Sequence, residues 1–121
     1  MKPPRITATS ATVGAPDPVT LARFYARLLG TEVATEEPGW AQVRTERLTL
    51  NFEREEQWQQ PVWPAEPGRP VATQHLDLWV DDLDEASAWA KECGARLAPV
   101  QPQDDVRVLL DPAGHPFCLF L

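Results

Sequence analysis

Two stretches of this chain follow the same plan. Asp17 is followed 13 residues later by Gly30, and Asp81 is followed 13 residues later by Gly94. Asp17 and the adjacent pair Asp81-Asp82 are strong helix N-caps, and Gly is a strong helix stop. Between them, apolar residues recur at helical spacing: Leu21, Phe24, Tyr25, Leu28 and Leu29 in the first stretch, and Leu83, Ala86, Trp89, Ala90 and Cys93 in the second. Ala22 aligns with Ala86, Tyr25 with Trp89 and Val33 with Leu97, at an offset of about 64 residues. That offset is too long for a solenoid repeat. A strand pattern precedes each helix and three short strand patterns follow it. The expected fold is therefore α+β: two βαβββ modules forming a curved mixed sheet around a cleft, with helices on the outer face. At 121 residues the chain has the length of one domain. Module 1 covers about residues 5–53, a linker about 54–70, and module 2 about 71–121.

The strands are set by composition and alternation. Ile6 to Ala15 is rich in β-branched and small residues, and Pro16-Asp17-Pro18 stops it. Glu32 to Thr35, Trp40 to Thr45 and Leu48 to Glu53 follow, the last two joined by the tight turn Glu46-Arg47. Residues 54–70 carry neither period and are dense in proline, which marks a surface crossing. Thr73 to Val80 alternates, with Leu76, Leu78 and Val80 on one face and His75, Asp77 and Trp79 on the other. Arg96 to Ala98, Val106 to Leu110 and Phe117 to Leu121 complete the second module.

Composition narrows the partners. A net charge of −7 argues against nucleic acid and against an anionic membrane surface. No apolar run reaches the length of a membrane span, and the start MKPPRITATS lacks a signal-type apolar stretch. The expectation is a cytoplasmic protein. Cys93 and Cys118 suit a reducing compartment as free thiols or could pair as one disulfide; no CxxC motif is present. Five tryptophans exceed what a small core needs, so some are expected to line a cavity.

Four segments carry a family likeness: APDPVTLARFYARLLG at 15–30, PVWP at 61–64, QHLDLWVDDLDEA at 74–86 and DPAGHPFCLFL at 111–121. With the repeat, they make the chain resemble the vicinal oxygen chelate superfamily of glyoxalases, bleomycin-resistance proteins and ring-cleaving dioxygenases, and within it the glyoxalase-like branch. The resemblance implies a divalent-metal site in metal-dependent members, built from His, Glu, His and Glu on the first, fourth, fifth and eighth strands. Imidazole and carboxylate ligands of this kind hold Fe, Ni, Zn or Mn with open positions for substrate oxygens. Carried onto this chain, the first position falls on Ser10 (Ala11 if the register slips), the fourth near Thr49 or Asn51, the fifth on His75 and the eighth on Cys118. One family ligand survives, and His75 with Cys118 supplies only two donors. No metal or other cofactor is therefore expected at the family position. Metal-dependent glyoxalase I or dioxygenase activity is not expected either. The resemblance also implies a homodimer.

The residues expected to bind a ligand in the cleft between the modules are Trp40, Gln42, Asn51, Trp63, His75, Asp77, Trp79, Cys118 and Phe120. Together they make an apolar, aromatic pocket with a few polar groups. The leading expectation is a protein that binds a small hydrophobic or aromatic metabolite or antibiotic, as the bleomycin-resistance branch does without catalysis. The alternatives are a metal-independent isomerase, lyase or hydrolase with His75 as the catalytic acid/base, and an accessory domain without a ligand. Cys118 has two readings, a nucleophile or an inert buried thiol.

Overall fold

The computed structural model of the chain describes residues 1–121. Its elements are β1 (Ser10–Ala15), α1 (Pro18–Leu28), β2 (Val33–Glu37), β3 (Trp40–Arg44), β4 (Thr49–Arg54), β5 (Asp77–Trp79), α2 (Leu83–Cys93), β6 (Arg96–Leu97), β7 (Val106–Leu110) and β8 (Pro116–Phe120). The expected βαβββ duplication is present. The strands form two four-stranded mixed sheets, ordered β1-β4-β3-β2 and β5-β8-β7-β6. In each, the first and last strands of the module run parallel and the other pairs are antiparallel.

Alternation places Val13, Ala15, Ala41, Val43, Leu50 and Phe52 of the first sheet on one buried face. Phe117, Leu119 and Leu109 do the same in the second. Both faces and both helices share one core, in which Tyr25 stacks on Phe52 at 5.6 Å and meets Phe117 edge-on at 5.9 Å. The helices also fasten the modules at the surface. Trp89 Nε1 donates to the Leu28 carbonyl at 3.1 Å, and the Arg27 guanidinium lies 5.4 Å from the Trp89 ring centre.

Most of the other strand ends lie one or two residues from the sequence expectation, and three differences have a clear structural cause. The first strand begins at Ser10, not Ile6, because its parallel partner β4 begins at Thr49, opposite Ser10; Ile6 is left 84% exposed. The fifth strand is only Asp77–Trp79, although the Leu76 carbonyl still accepts from Cys118 N at 2.9 Å. The next rung back would need an N–H from residue 116, which is proline and has none. Finally, α2 is capped by Asp82, whose carboxylate accepts from Glu85 N at 2.9 Å, not by Asp81. The modules are therefore offset by 65 residues at the caps, Asp17 and Asp82, and by 64 at the glycines that follow the helices. Both helices have 11 residues, but the first module carries one more residue between cap and glycine, and Ala22 aligns with buried Ser87 rather than with Ala86.

The crossing segment is packed down rather than loose. Pro61 is buried, Val62 N donates to the Pro70 carbonyl at 2.8 Å, and the Trp63-Pro64 bond is cis. Trp58 lies against His115, ring centres 5.1 Å apart. His115 belongs to the turn after β7, where Gly114 adopts φ +85°, a conformation that favours glycine. Cys93 and Cys118 are both free thiols.

Candidate functional site

Alternation also fixes the face turned away from the helices. In the first module it carries Ser10, Thr12, Trp40, Gln42, Arg44, Thr49 and Asn51. In the second it carries Asp77, Trp79, Cys118, Phe120 and, one step before the strand, His75. Thr12 pairs with Asn51 across β1 and β4, and Asp77 pairs with Cys118 across β5 and β8. With the offset of 65, Ser10 corresponds to His75 and Thr12 to Asp77. Asn51 therefore corresponds to Cys118, which resolves the choice between Thr49 and Asn51 in favour of Asn51 and sets the first strand at Ser10 rather than Ala11.

These corresponding triads have opposite chemistry. In module 1 they form a closed hydrogen-bond network. The Asn51 amide nitrogen donates to Ser10 Oγ at 3.2 Å and to Thr12 Oγ1 at 3.5 Å, and Asn51 Oδ1 accepts from Gln42 Nε2 at 2.9 Å. Gln42 Oε1 in turn accepts from Arg44 Nε at 3.0 Å. Neutral hydroxyl and amide groups already committed to one another do not fit the imidazole-carboxylate donor set of a divalent transition-metal site. Module 1 presents no imidazole or carboxylate at Ser10, Thr12 or Asn51.

In module 2, His75 Nε2 stands 3.4 Å from Asp77 Oδ1, and both side chains are more than half exposed. His75, Asp77 and Cys118 each present one donor atom, all within 4.8 Å of one another. The family resemblance pointed to two donors here; Asp77, on the same face as His75 and paired with Cys118, adds a third. Burial, and then the Asp77 charge, push the Cys118 thiol above its usual range. Cys118 is thus protonated near neutral pH, which disfavours it as a free nucleophile.

Two cavities adjoin this face. The larger, about 1030 Å³, runs between the modules. Its walls are the residues just after α1, Leu29–Thr31, the β3-β4 turn from Arg44 to Leu48, Leu50, the segment from His75 to Trp79, and Phe120. Trp79 is 65% exposed and Leu48 41% exposed, so the groove offers accessible apolar surface. The smaller, about 380 Å³, contains His75, Asp77, Cys118 and Phe120 together with Gln103 and Asp105.

The expected ligand residues therefore divide. His75, Asp77, Trp79 and Phe120 line the groove, and Cys118 lines the adjoining cavity. Trp40, Gln42 and Asn51 share a sheet face in module 1 but line neither cavity. Trp63 is half-buried in the crossing segment, also away from both cavities. Arg47 and Leu48 line the groove but were read only as part of a hairpin. The signal available in the sequence was an apolar residue directly after a charged two-residue turn.

Another polar cluster supports the fold behind this face. Asp111 is buried and accepts from Tyr25 Oη at 2.6 Å, Ala113 N at 2.9 Å and His115 N at 3.0 Å. Burial raises the Asp111 carboxyl, against the opposing pull of these donors. Burial likewise lowers the His115 imidazole.

Paired βαβββ modules whose helices share one core define a protein of the vicinal oxygen chelate type. Within that class, the chain belongs to the Glyoxalase-like domain family, whose sequence profile matches residues 10–120. Solved structures agree in fold. A glyoxalase/bleomycin resistance protein/dioxygenase family enzyme from Burkholderia phytofirmans PsJN is 21% identical, over 92% of this chain and 94% of that one, with a TM-score of 0.68. A lactoylglutathione lyase from Agrobacterium tumefaciens is 18% identical, over 98% and 95%, with a TM-score of 0.63. A genomically encoded fosfomycin resistance protein from Listeria monocytogenes is 14% identical, over 94% and 88%, with a TM-score of 0.69; it was solved as an E126Q mutant with Mn(II) and 1S,2S-dihydroxypropylphosphonic acid. A search of curated protein sequences returned no match.

Proposed function

We propose that this protein binds a small hydrophobic or aromatic molecule in the groove between its modules, without the four-residue metal site of its metal-dependent relatives. The observation that carries this reading is the groove itself. It draws walls from both modules and sets Trp79, Phe120, Leu48, Leu76 and Leu78 beside a few charged groups, Arg44, Arg47, His75 and Asp77. Flat aromatic walls favour a planar or cyclic ligand, and the two arginines suit one that carries an acidic group. The committed hydrogen bonds of Ser10, Thr12 and Asn51 support the absence of the four-residue site. Free thiols suit a cytoplasmic setting. The exposed apolar residues Trp79, Leu48 and Leu121 suit a homodimer.

Tryptophan fluorescence tests the reading. A panel of aromatic acids and cyclic antibiotics is expected to contain at least one compound that changes the emission saturably. Trp79→Phe is expected to remove most of that change while leaving the fold intact. No response across a broad panel would count against the groove.

A second reading follows from one contact. His75 Nε2 lies 3.4 Å from the Asp77 carboxylate, close enough for the carboxylate to orient the imidazole as an acid/base group. Turnover of a groove ligand that is lost in His75→Ala, with binding retained, would establish this chemistry.

A further inference from the structure

A third cavity, of about 320 Å³, lies between the crossing segment and the turn after β7. It shares no lining residue with the groove or with the cavity beside Cys118. Glu55, Trp58 and His115 line it, together with the amide side chains of Gln57 and Gln59 and the residues that lead into β5, among them Gln74. Glu55 is the one carboxylate in the lining, and no Lys or Arg reaches the cavity. We propose that this cavity binds a small organic ammonium ion, held by the Glu55 carboxylate, the Trp58 ring and the ring nitrogen of His115 that the Gln74 backbone leaves free.

The chemistry of the lining selects this class of ligand. A primary ammonium carries three donors and no acceptor. An ionised carboxylate only accepts; Glu55 Oε1 takes Gln57 N at 3.0 Å, which leaves the second oxygen for a ligand. His115 is only 6% exposed, and that remainder borders this cavity. Burial keeps its imidazole uncharged near neutral pH, and the Gln74 backbone engages one ring nitrogen. In a neutral imidazole whose N–H is engaged, the other nitrogen is an acceptor. The amide oxygens of Gln57 and Gln59 add further acceptors, and the Trp58 indole adds a cation–π attraction. An anionic ligand would meet Glu55 and find no cation. The parts are held in place by the fold: Glu55 N donates to the Ala15 carbonyl at 2.9 Å, and Trp58 N to the Glu55 carbonyl at 3.2 Å. Gln60 covers Gly114 so closely that a Cβ there would stand 2.6 Å from its side chain.

The test is a titration of the isotope-labelled full chain with n-butylammonium chloride at constant ionic strength, followed by amide and indole NMR signals. A saturable shift is expected at the Trp58 indole N–H, assigned through Trp58→Phe, and at the backbone amides of Glu55, Gln74 and His115. Sodium butyrate and n-butanol at the same concentrations are expected to leave these signals in place. Glu55→Gln keeps an oxygen for Gln57 N and lies at an exposed position, so its spectrum is expected to retain the parent's dispersion. It is expected to weaken n-butylammonium binding about fivefold, the upper end for an exposed ion pair. A groove that binds nothing leaves this test unaffected. The proposal is overturned by the lack of a saturable shift at these residues, by shifts centred on His75–Trp79 instead, by equal shifts with n-butanol, or by unchanged affinity in Glu55→Gln.

Discussion

A carboxylate inside the core is costly unless donors surround it, and Asp111 has three within hydrogen-bond reach. One of them, the Tyr25 hydroxyl, comes from 86 residues away and ties α1 of the first module to the last turn of the second. Tyr25→Phe keeps the ring stack on Phe52 but leaves the carboxylate short of a donor. It is expected to cost about 1–3 kcal/mol in urea unfolding. In the sequence Asp111 opens the DPAGHPFCLFL segment and Tyr25 lies on a helix face; nothing local announces that they meet. His115, in the same turn, is buried neutral against Trp58. Burial holds its folded pKa below the ordinary 6.5, so below that pH the unfolded chain binds the extra proton. Stability is therefore expected to fall as pH drops below 6.5 and through the folded value. His115→Gln is expected to remove that part of the slope. Asp111 acts with the opposite sign: its raised folded pKa makes stability rise as pH falls through that value toward 3.8. Unfolding free energy measured across this range in both proteins separates the two contributions.

At the scale of elements, the repeat is legible because caps, stops and helical spacing are local features. Its alignment is less so, because two adjacent aspartates offer equal caps on paper. Only one reaches Glu85 N, and the backbone of Asp82 is extended as a cap requires. Asp82→Ala is expected to cost about 1 kcal/mol in thermal or urea unfolding, and Asp81→Ala to stay within about 0.5 kcal/mol of the parent. Equal losses would reassign the cap. The shortness of β5 was also written in the chain, in Pro116, but a missing donor matters only once its partner strand is known. The segment 54–70 was recognisable as a crossing. That Trp58 would anchor it on His115 was not, since aromatic packing of this kind depends on where the terminal turn lies.

For the whole molecule, duplication is the organising fact and the divergence of the two outward faces is what sets the modules apart. Both modules keep the same strand order, and one core joins them. Yet one outward face carries a closed network of Ser10, Thr12, Asn51 and Gln42, while the other carries His75, Asp77 and Cys118. The sequence shows that only His75 keeps the residue type the family resemblance implies for a metal ligand. It could not place the groove between the modules, which is walled by the β3-β4 turn as well as by the segment around β5. Alternation alone groups Trp40, Gln42 and Asn51 with Trp79 and gives no sign of Arg47 and Leu48. The most direct test is an amide chemical-shift map of the isotope-labelled chain, titrated with a saturating small aromatic acid. The perturbed amides are expected to cluster at Leu29–Thr31, Arg44–Leu48 and His75–Trp79, with Gln42 and Asn51 unmoved. Perturbations centred on Gln42 and Asn51, or none above the dilution control for any compound in the panel, would contradict the inter-module groove as the binding site.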